Sequence, residues 1–297
     1  MQSRPVWMPN AIIRLLISVF ICVYCGSLIL TMVDPQLAAK VQLRVRVTGG
    51  AALLCLGVSL VLLRRSWTLE DMLRRAGVTL AFFYLGFALG AVAQKWAGVS
   101  GGGVSQMVIS AMAFQGSILV LVWLLLLEHG AGWCDSFGFD KDWQRAVMTG
   151  ILTALLFLPL AWLLQKASML ALDYLPIPSL KPEEQQAVRT IRDAAGFGDR
   201  LTLGVITILL APVAEELLFR GVLFPGIRDL GFPRLAVWGN SLLFAGVHLN
   251  LATFLPLLLL ALVLTRLYEK TGNLVSCITA HSLFNALNFL LLFLTSA

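Results

Sequence analysis

Apolar segments of membrane-spanning length alternate with short polar segments along almost the whole chain. Runs of about 17–25 apolar residues are long enough to cross the hydrocarbon core as α-helices. The pattern predicts such runs at roughly 11–33, 47–63, 77–94, 105–127 and 146–165, and again at 201–227, 233–249, 251–267 and 274–295. We therefore expect an all-α, polytopic transmembrane helix bundle of nine spans, or of eight if one of the shorter runs does not cross.

One long polar stretch, from Lys166 to Arg200, divides the chain. It includes a short pattern, with Val188, Ile191 and Ala195 on one face, that predicts an amphipathic helix. We therefore expect three parts: N-terminal transmembrane helices without a recognised motif over residues 1–165, a polar connecting segment over 166–200, and a transmembrane domain over 201–297. The unusual polar residues of the chain concentrate in the last part.

The composition supports a membrane protein and excludes other classes. Of the 297 residues, 59% are hydrophobic and 13% are charged, against about 45–50% and about 25% in an ordinary soluble domain. A single core of this size could not cover so much apolar surface, and disorder is excluded by the same numbers. The net charge of +6 is spread over the loops, which suits an anionic lipid surface better than nucleic acid. We expect a lipid bilayer, and no nucleic acid, among the partners.

The distribution of Lys and Arg favours a cytoplasmic N-terminus. With nine spans, 12 of these residues lie on the side of the N-terminus and 9 on the opposite side. Five of those 9 lie in the 166–200 segment, where the positive-inside rule counts for less. Together with the short loops, this predicts a multi-pass protein of a bacterial inner membrane.

Several polar side chains interrupt the apolar runs of the second half. They are Glu215, Glu216, Arg220, His248, His281 and Asn285. Such groups are costly at membrane depth and are functional by default. The helical rise of about 1.5 Å per residue places Glu215, His248, His281 and Asn285 roughly 12–23 Å from the same membrane face. We therefore expect those four to converge on one buried polar cavity.

The spacing of these residues separates two kinds of carboxylate. Glu216 and Arg220 are four apart, so they face each other on a helix and predict a structural ion pair. Glu215 is rotated by about 100° from Glu216 and lacks that partner. An unpaired carboxylate in a low-dielectric environment is the kind of group that serves as a general base. His281 and Asn285 are also four apart and share one helix face.

This set of side chains suits the hydrolysis of a peptide bond. Glu215 would deprotonate a water held with the help of His248, while His281 and Asn285 would donate to the oxyanion of the tetrahedral intermediate. No serine or cysteine has a base beside it at motif spacing, which argues against a covalent mechanism.

A zinc site is the alternative chemistry for the same residues. Glu215, His248 and His281 could bind Zn²⁺ and leave one position open for water. The usual H-E-x-x-H zinc helix is absent, so we favour the metal-free mechanism. We expect no cofactor, with Zn²⁺ as the alternative.

Three short motifs resemble those of one protease family. Glu215-Glu-Leu-Leu-Phe-Arg220 resembles E-E-x-x-x-R, Phe244-Ala-Gly-Val-His248 resembles F-x-x-x-H, and His281-Ser-Leu-Phe-Asn285 resembles H-x-x-x-N. These are the motifs of the CAAX-protease and bacteriocin-processing (CPBP) intramembrane protease family, which includes the type II CAAX prenyl endopeptidases. The resemblance covers about residues 200–295. It implies an all-helical membrane fold, with Glu215 as the catalytic base, His248 beside it, and His281 and Asn285 as oxyanion donors.

The resemblance leaves the substrate open. Eukaryotic members of the family trim prenylated C-terminal motifs, whereas prokaryotic members process membrane-bound signalling or peptide substrates, or serve in bacteriocin immunity. We expect a membrane-anchored peptide or protein as the substrate and regard prenyl-protein processing as the less favoured option. The alternative is a non-enzymatic membrane protein (an immunity factor, scaffold or transporter) that uses the same pocket for binding. Neither inverted repeats nor paired broken spans, which would favour a transporter, are evident.

Overall fold

The computed structural model describes residues 102–174, 185–194, 196–229, 231–248 and 250–296, together with Ile12 and Val19. All regular structure in these residues is helical, and they contain no strand. The prediction of an all-α fold is confirmed. The predicted spans at 47–63 and 77–94, and the one at 11–33 apart from Ile12 and Val19, lie outside the described residues.

We number the helices of the described residues in chain order. Helices α1 (Gly102–Ala111) and α2 (Ser117–Glu128) are joined by a π-helical turn, and α3 (Trp133–Phe137) is a single short turn. Next come α4 (Trp143–Tyr174), α5 (Gln186–Arg192) and α6 (Phe197–Asp229). The last three are α7 (Pro233–Gly246), α8 (Leu251–Thr271) and α9 (Leu274–Ser296).

Four of these helices, α4, α6, α8 and α9, are long and apolar enough to cross a membrane. Helix α7 has 14 residues and is therefore about 21 Å long, which is less than the hydrocarbon thickness of about 30 Å. The apolar helix Phe114–Glu128 is also shorter than a span. Where the sequence pattern predicts six spans among the described residues, the structure thus supports four.

The described residues form two compact units. One contains the described residues of His129–Asp193 and Thr207–Ala297, and the other contains residues 102–128 and Ala194–Ile206. The division into 1–165, 166–200 and 201–297 stays a prediction. Helix α4 continues unbroken past residue 165 to Tyr174, so it includes the first residues of the predicted connecting segment. All six polar residues of the motifs lie in the first unit.

Close helix packing in the first unit depends on two glycines. Helices α4 and α9 approach each other at Gly150, where a Cβ atom would lie 2.6 Å from the backbone oxygen of Ser276. Helix α3 packs on α6 through Phe137, which is completely buried. A Cβ atom on Gly221 of α6 would lie 2.7 Å from the Phe137 ring. Small residues at such contacts allow helices to approach closely.

The start of α9 is fixed by Asn273, which precedes the helix. Its Oδ1 accepts a hydrogen bond from the backbone N–H of Val275 at 2.9 Å, and its Nδ2 donates to the backbone oxygen of Lys141. The preceding Gly272 ends α8 with a φ of +60°, a left-handed conformation that glycine adopts without strain. This turn sets the position of α9, which carries His281 and Asn285.

Candidate active site

Helix α6 carries Glu215 and Glu216 in its buried middle part. They lie in an α-helical stretch, Ala211–Glu216, that is flanked by two stretches wound as a π-helix, Val205–Leu210 and Leu217–Leu223. In a π-helix each carbonyl pairs with the N–H five residues later, and such stretches are frequent at functional sites. The winding of the backbone therefore marks this part of α6 as unusual.

Glu216 lies at the centre of a buried network. Its Oε1 accepts a hydrogen bond from Nη1 of Arg220 at 2.8 Å and lies 2.8 Å from Nδ1 of His281. Both Glu216 and Arg220 are 0% exposed. The structure thus contains the predicted pair of Glu216 and Arg220. It also shows a contact of Glu216 with His281 of α9, which the spacing of residues along the chain did not indicate.

Arg220 is held on three sides. Besides Glu216, its Nη2 donates to the backbone oxygen of Ala261 on α8 at 3.0 Å. Its guanidinium carbon lies 4.7 Å from the centre of the Phe244 ring, in the position of a cation–π contact. A buried charge is tolerated only where it is paired and hydrogen-bonded, and this environment meets both conditions.

Phe244 of α7 connects the parts of the site. Its ring centre lies 5.1 Å from the His248 ring and 5.8 Å from the His281 ring. It also packs edge-to-face on Phe219 of α6, at 5.1 Å. The two histidines, which are far apart in the sequence, therefore lie on the same phenylalanine. The motif F-x-x-x-H contained this signal, since Phe244 lies one helical turn before His248.

His248 lies in the turn that follows α7, beyond the last helical residue Gly246. Its Nδ1 is 2.8 Å from the backbone oxygen of Phe244. A carbonyl oxygen only accepts hydrogen bonds, so Nδ1 carries the proton, and in the neutral ring Nε2 keeps its lone pair. His248 therefore offers a hydrogen-bond acceptor from Nε2.

His281 is 3% exposed and is oriented by the contact of its Nδ1 with Glu216. An ionised carboxylate can only accept, so Nδ1 of His281 donates to Glu216 and Nε2 is the nitrogen left for a substrate. The T-shaped packing of its ring on Phe244 supports the same orientation.

Glu215 has a different environment from that of its neighbour. It is buried, with 8% of its surface exposed, and no residue that the structure describes forms a hydrogen bond or ion pair with its carboxylate. Burial of a carboxylate without a partner is costly. Such a group is retained for a reason other than stability, as is common at functional sites.

Asn285 holds part of α6. Its Nδ2 donates to the backbone oxygen of Thr207 at 2.8 Å. Thr207 lies in the first π-helical stretch, so its carbonyl would pair with the backbone N–H of residue 212. Residue 212 is a proline, which has no N–H. The side chain of Asn285 donates to the carbonyl of Thr207 instead.

Asn240 is a further polar residue of the site that the sequence reasoning missed. It is 1% exposed, and its Nδ2 donates to the backbone oxygen of Phe219 at 3.0 Å. The backbone N–H of Phe224 donates to the same oxygen. Asn240 thereby ties α7 to the second π-helical stretch of α6. An asparagine within the apolar helix α7 is unusual, and this was the one feature of the sequence that could have indicated Asn240.

The structure thus connects most, but not all, of the predicted site residues. Glu216, Arg220 and His281 are in direct contact, and His248 joins them through Phe244. Asn285 is directed at Thr207 instead. The single cavity expected for Glu215, His248, His281 and Asn285 stays a prediction.

The zinc site stays an alternative prediction for these residues. Among the described residues, no group of three or more His, Cys, Asp or Glu side chains is arranged to hold a metal ion. Nδ1 of His281 is engaged by Glu216, which leaves its Nε2 as the nitrogen that a substrate or a metal ion could meet.

Comparison with known proteins agrees with the resemblance read from the motifs. Residues 198–287 match the family model "Type II CAAX prenyl endopeptidase Rce1-like", and this segment contains all three motifs. The resemblance that the motifs indicated is confirmed for this segment. No solved structure matches the chain significantly.

Two bacterial proteins are similar to part of the chain. The UPF0177 protein YxdF of Lactococcus lactis is 31% identical over 109 residues, which is 34% of this chain and 59% of that protein. The uncharacterized protein YpbD of Bacillus subtilis is 36% identical over 85 residues, which is 27% of this chain and 40% of that protein. The chain thus spans about half the length of these relatives.

Proposed function

We propose that this chain, whose residues 198–287 are Rce1-like, is an intramembrane endopeptidase that cleaves a membrane-associated peptide or protein with an activated water. One observation carries the proposal. Of two adjacent buried glutamates, Glu216 contacts both Arg220 and His281 through its Oε1, whereas Glu215 has no partner among the described residues. An unpaired carboxylate beside a fixed charge network is suited to take up a proton.

Glu215 is the proposed general base. It removes a proton from a water molecule as the water oxygen attacks the peptide carbonyl, and it later returns the proton to the leaving amine. Its lack of a partner supports this role, because a carboxylate held by an arginine would be a weaker base.

His248 is proposed to orient the attacking water. Its Nδ1 donates to the backbone oxygen of Phe244, which leaves Nε2 to accept a hydrogen bond from the water. The contact with its own helix end also restricts the rotation of the imidazole ring.

His281 and Asn285 are the proposed donors to the oxyanion. Nε2 of His281 is the free nitrogen of a ring that Glu216 and Phe244 hold in place. An amide nitrogen carries two hydrogens, and the one that Asn285 does not give to Thr207 is proposed to reach the oxyanion. One such donor contributes about 10²–10³ in rate.

The substrate is proposed to be anchored in the membrane, because the motif residues lie on or between helices of a transmembrane bundle. We place the protein in the inner membrane of a bacterium with its N-terminus in the cytoplasm. The family match favours an enzyme over an immunity factor, scaffold or transporter. A zinc mechanism is the alternative that we propose to test.

The proposal is tested with purified protein in lipid vesicles and a library of membrane-anchored peptides in H₂¹⁸O. Hydrolysis places one ¹⁸O atom in the new carboxylate of the cleaved peptide. We expect cleavage by the wild type and by Glu269→Gln, which alters an exposed carboxylate paired with Arg266, and none above background by Glu215→Gln. Equal cleavage by all three proteins, or by none of them, would refute the proposal.

A further inference from the structure

A single oxygen of Glu216 contacts both Arg220 and His281. If the glutamate served only to neutralise the arginine, no contact with the histidine would be needed. Resting on the proposed function, we propose that Glu216 is a positioning residue: its Oε1 holds the proton of His281 on Nδ1 and thereby turns Nε2 toward the substrate.

The carboxylate oxygen of Glu216 accepts both of its hydrogen bonds. Arg220 can only donate, and it donates to Oε1 of Glu216 at 2.8 Å, so His281 donates to the same oxygen from its Nδ1. With Nδ1 donating, Nε2 donates to an oxyanion only if it also carries a proton. For Nε2 to donate, His281 must therefore be the imidazolium, and Oε1 of Glu216 lies 2.8 Å from its Nδ1.

The summed charge of the buried ionisable side chains supports the same role for His281. With His281 as the imidazolium, the charges of Glu215, Glu216, Arg220 and His281 sum to zero. When Glu215 takes a proton from water and the oxyanion forms, one negative charge leaves Glu215 and one appears on the substrate. The total charge of the four residues and the substrate therefore stays at zero during the reaction. This favours the reaction in a medium where net charge is costly.

Glu216 and the imidazole ring of His281 are held in fixed positions by their neighbours. Arg220 is anchored on α8 through the backbone oxygen of Ala261 and on α7 through the Phe244 ring, so it holds Glu216 in place from two other helices. The Phe244 ring also supports His281 from the side. The imidazole is thus fixed by a hydrogen bond and a ring contact, and a donor fixed in advance needs no reorganisation during the reaction.

The state of the imidazole can be measured without any substrate. The chain has three histidines, so a ¹⁵N spectrum of histidine-labelled protein in lipid contains few signals. We expect a protonated Nδ1 on His281 in the wild type, and a changed Nδ1 signal in Glu216→Gln. His248, whose Nδ1 donates to Phe244, serves as the internal control and should not change. An unprotonated Nδ1 on His281 in the wild type overturns the proposal. So does an Nδ1 signal of His281 that is the same in Glu216→Gln as in the wild type.

A double-mutant cycle tests whether Glu216 acts through His281. We measure kcat and KM per folded molecule for Glu216→Gln, His281→Ala and the double variant. We expect each single variant to lose about 10²–10³ in kcat, the value of one oxyanion donor, with little change in KM. The double variant should be no slower than His281→Ala alone, because residues that act as a unit are not additive.

The control for the cycle is Arg228→Gln, which alters an exposed arginine paired with Asp229 and should retain the wild-type rate. An equal loss from Glu216→Gln with and without His281 would show that Glu216 acts independently, and would overturn the proposal. If the wild type cleaves no peptide, the proposed function fails, while the ¹⁵N measurement still decides the role of Glu216. The same measurement decides it if a variant does not fold.

Discussion

At the scale of single residues, the two glutamates of α6 differ in their surroundings although they are adjacent. Successive residues of a helix are rotated by about 100°, so Glu216 faces Arg220 and His281 while Glu215 points elsewhere. The spacing of four residues was enough to predict the pair of Glu216 and Arg220. The contact with His281 joins residues 65 positions apart and depends on how α6 and α9 pack, so no local pattern could indicate it.

The first prediction concerns the buried pair. In Arg220→Ala, the buried carboxylate of Glu216 loses its cation, and removing one partner of a buried ion pair typically costs about 3–5 kcal/mol. We expect a lower yield of folded protein and a lower midpoint of thermal unfolding, measured in the same detergent. Arg228→Ala removes a partly exposed arginine (33% of its side chain) that is paired with Asp229, and it should lower both quantities much less. Equal stability of the two variants would contradict the structural role of Arg220.

At the scale of helices, the apolar runs predicted where most helices lie, but not their lengths or winding. Helix α4 extends through polar residues to Tyr174, and α7 ends at Gly246, before His248. The π-helical winding of α6 leaves no trace in an apolar pattern. Its one local signal is Pro212, which cannot donate to Thr207, and the compensating Asn285 lies on another helix.

The second prediction concerns the contact of α4 with α9. In Gly150→Ala the new methyl group would lie 2.6 Å from the backbone oxygen of Ser276, so the helices must separate and His281 must shift. We expect a loss of thermal stability of about 1–3 kcal/mol, as for other overpacked contacts, together with reduced turnover. The matched control is Gly246→Ala, since a Cβ atom there has no neighbour within 4 Å. Similar stability of the two variants would contradict this packing.

At the scale of the whole molecule, composition alone predicted the class of protein, because so apolar a chain can only be accommodated in a bilayer. The division into three sequence segments stays a prediction, and the two compact units could not be predicted from a sequence pattern. A unit is defined by packing, and α6 begins in one unit and ends in the other. The predictions for residues 1–101 lie outside the described part, apart from Ile12 and Val19.

The third prediction concerns orientation. Asp229 ends α6 and Glu269 lies in the last turn of α8, so both should face the same side of the membrane. Because Arg228, Arg234 and Lys270 lie nearby, we expect that side to be the cytoplasm. Single cysteines at the two positions, in a chain without its five native cysteines, should react with impermeant reagents only from inside. Labelling from opposite sides would contradict the helix order. Labelling of both from outside would contradict the orientation.

The fourth prediction concerns metal dependence. The proposed base and oxyanion donors act without a metal ion, so we expect turnover to persist after dialysis against a strong zinc chelator. A metal-loaded zinc peptidase of known chelator sensitivity, treated in parallel, is the control. Loss of activity on chelation, with recovery on adding one equivalent of zinc, would contradict the mechanism.

The most direct test of the account is to measure stability and turnover together in Glu215→Gln. This variant keeps the shape of the side chain but removes a buried negative charge that has no partner among the described residues. We predict thermal stability equal to or above that of the wild type, as for other active-site groups retained at a cost to stability. We also predict a loss of at least about 10² in turnover per folded molecule. A variant that is less stable than the wild type but turns over at the same rate per folded molecule would contradict the claim that Glu215 is the base.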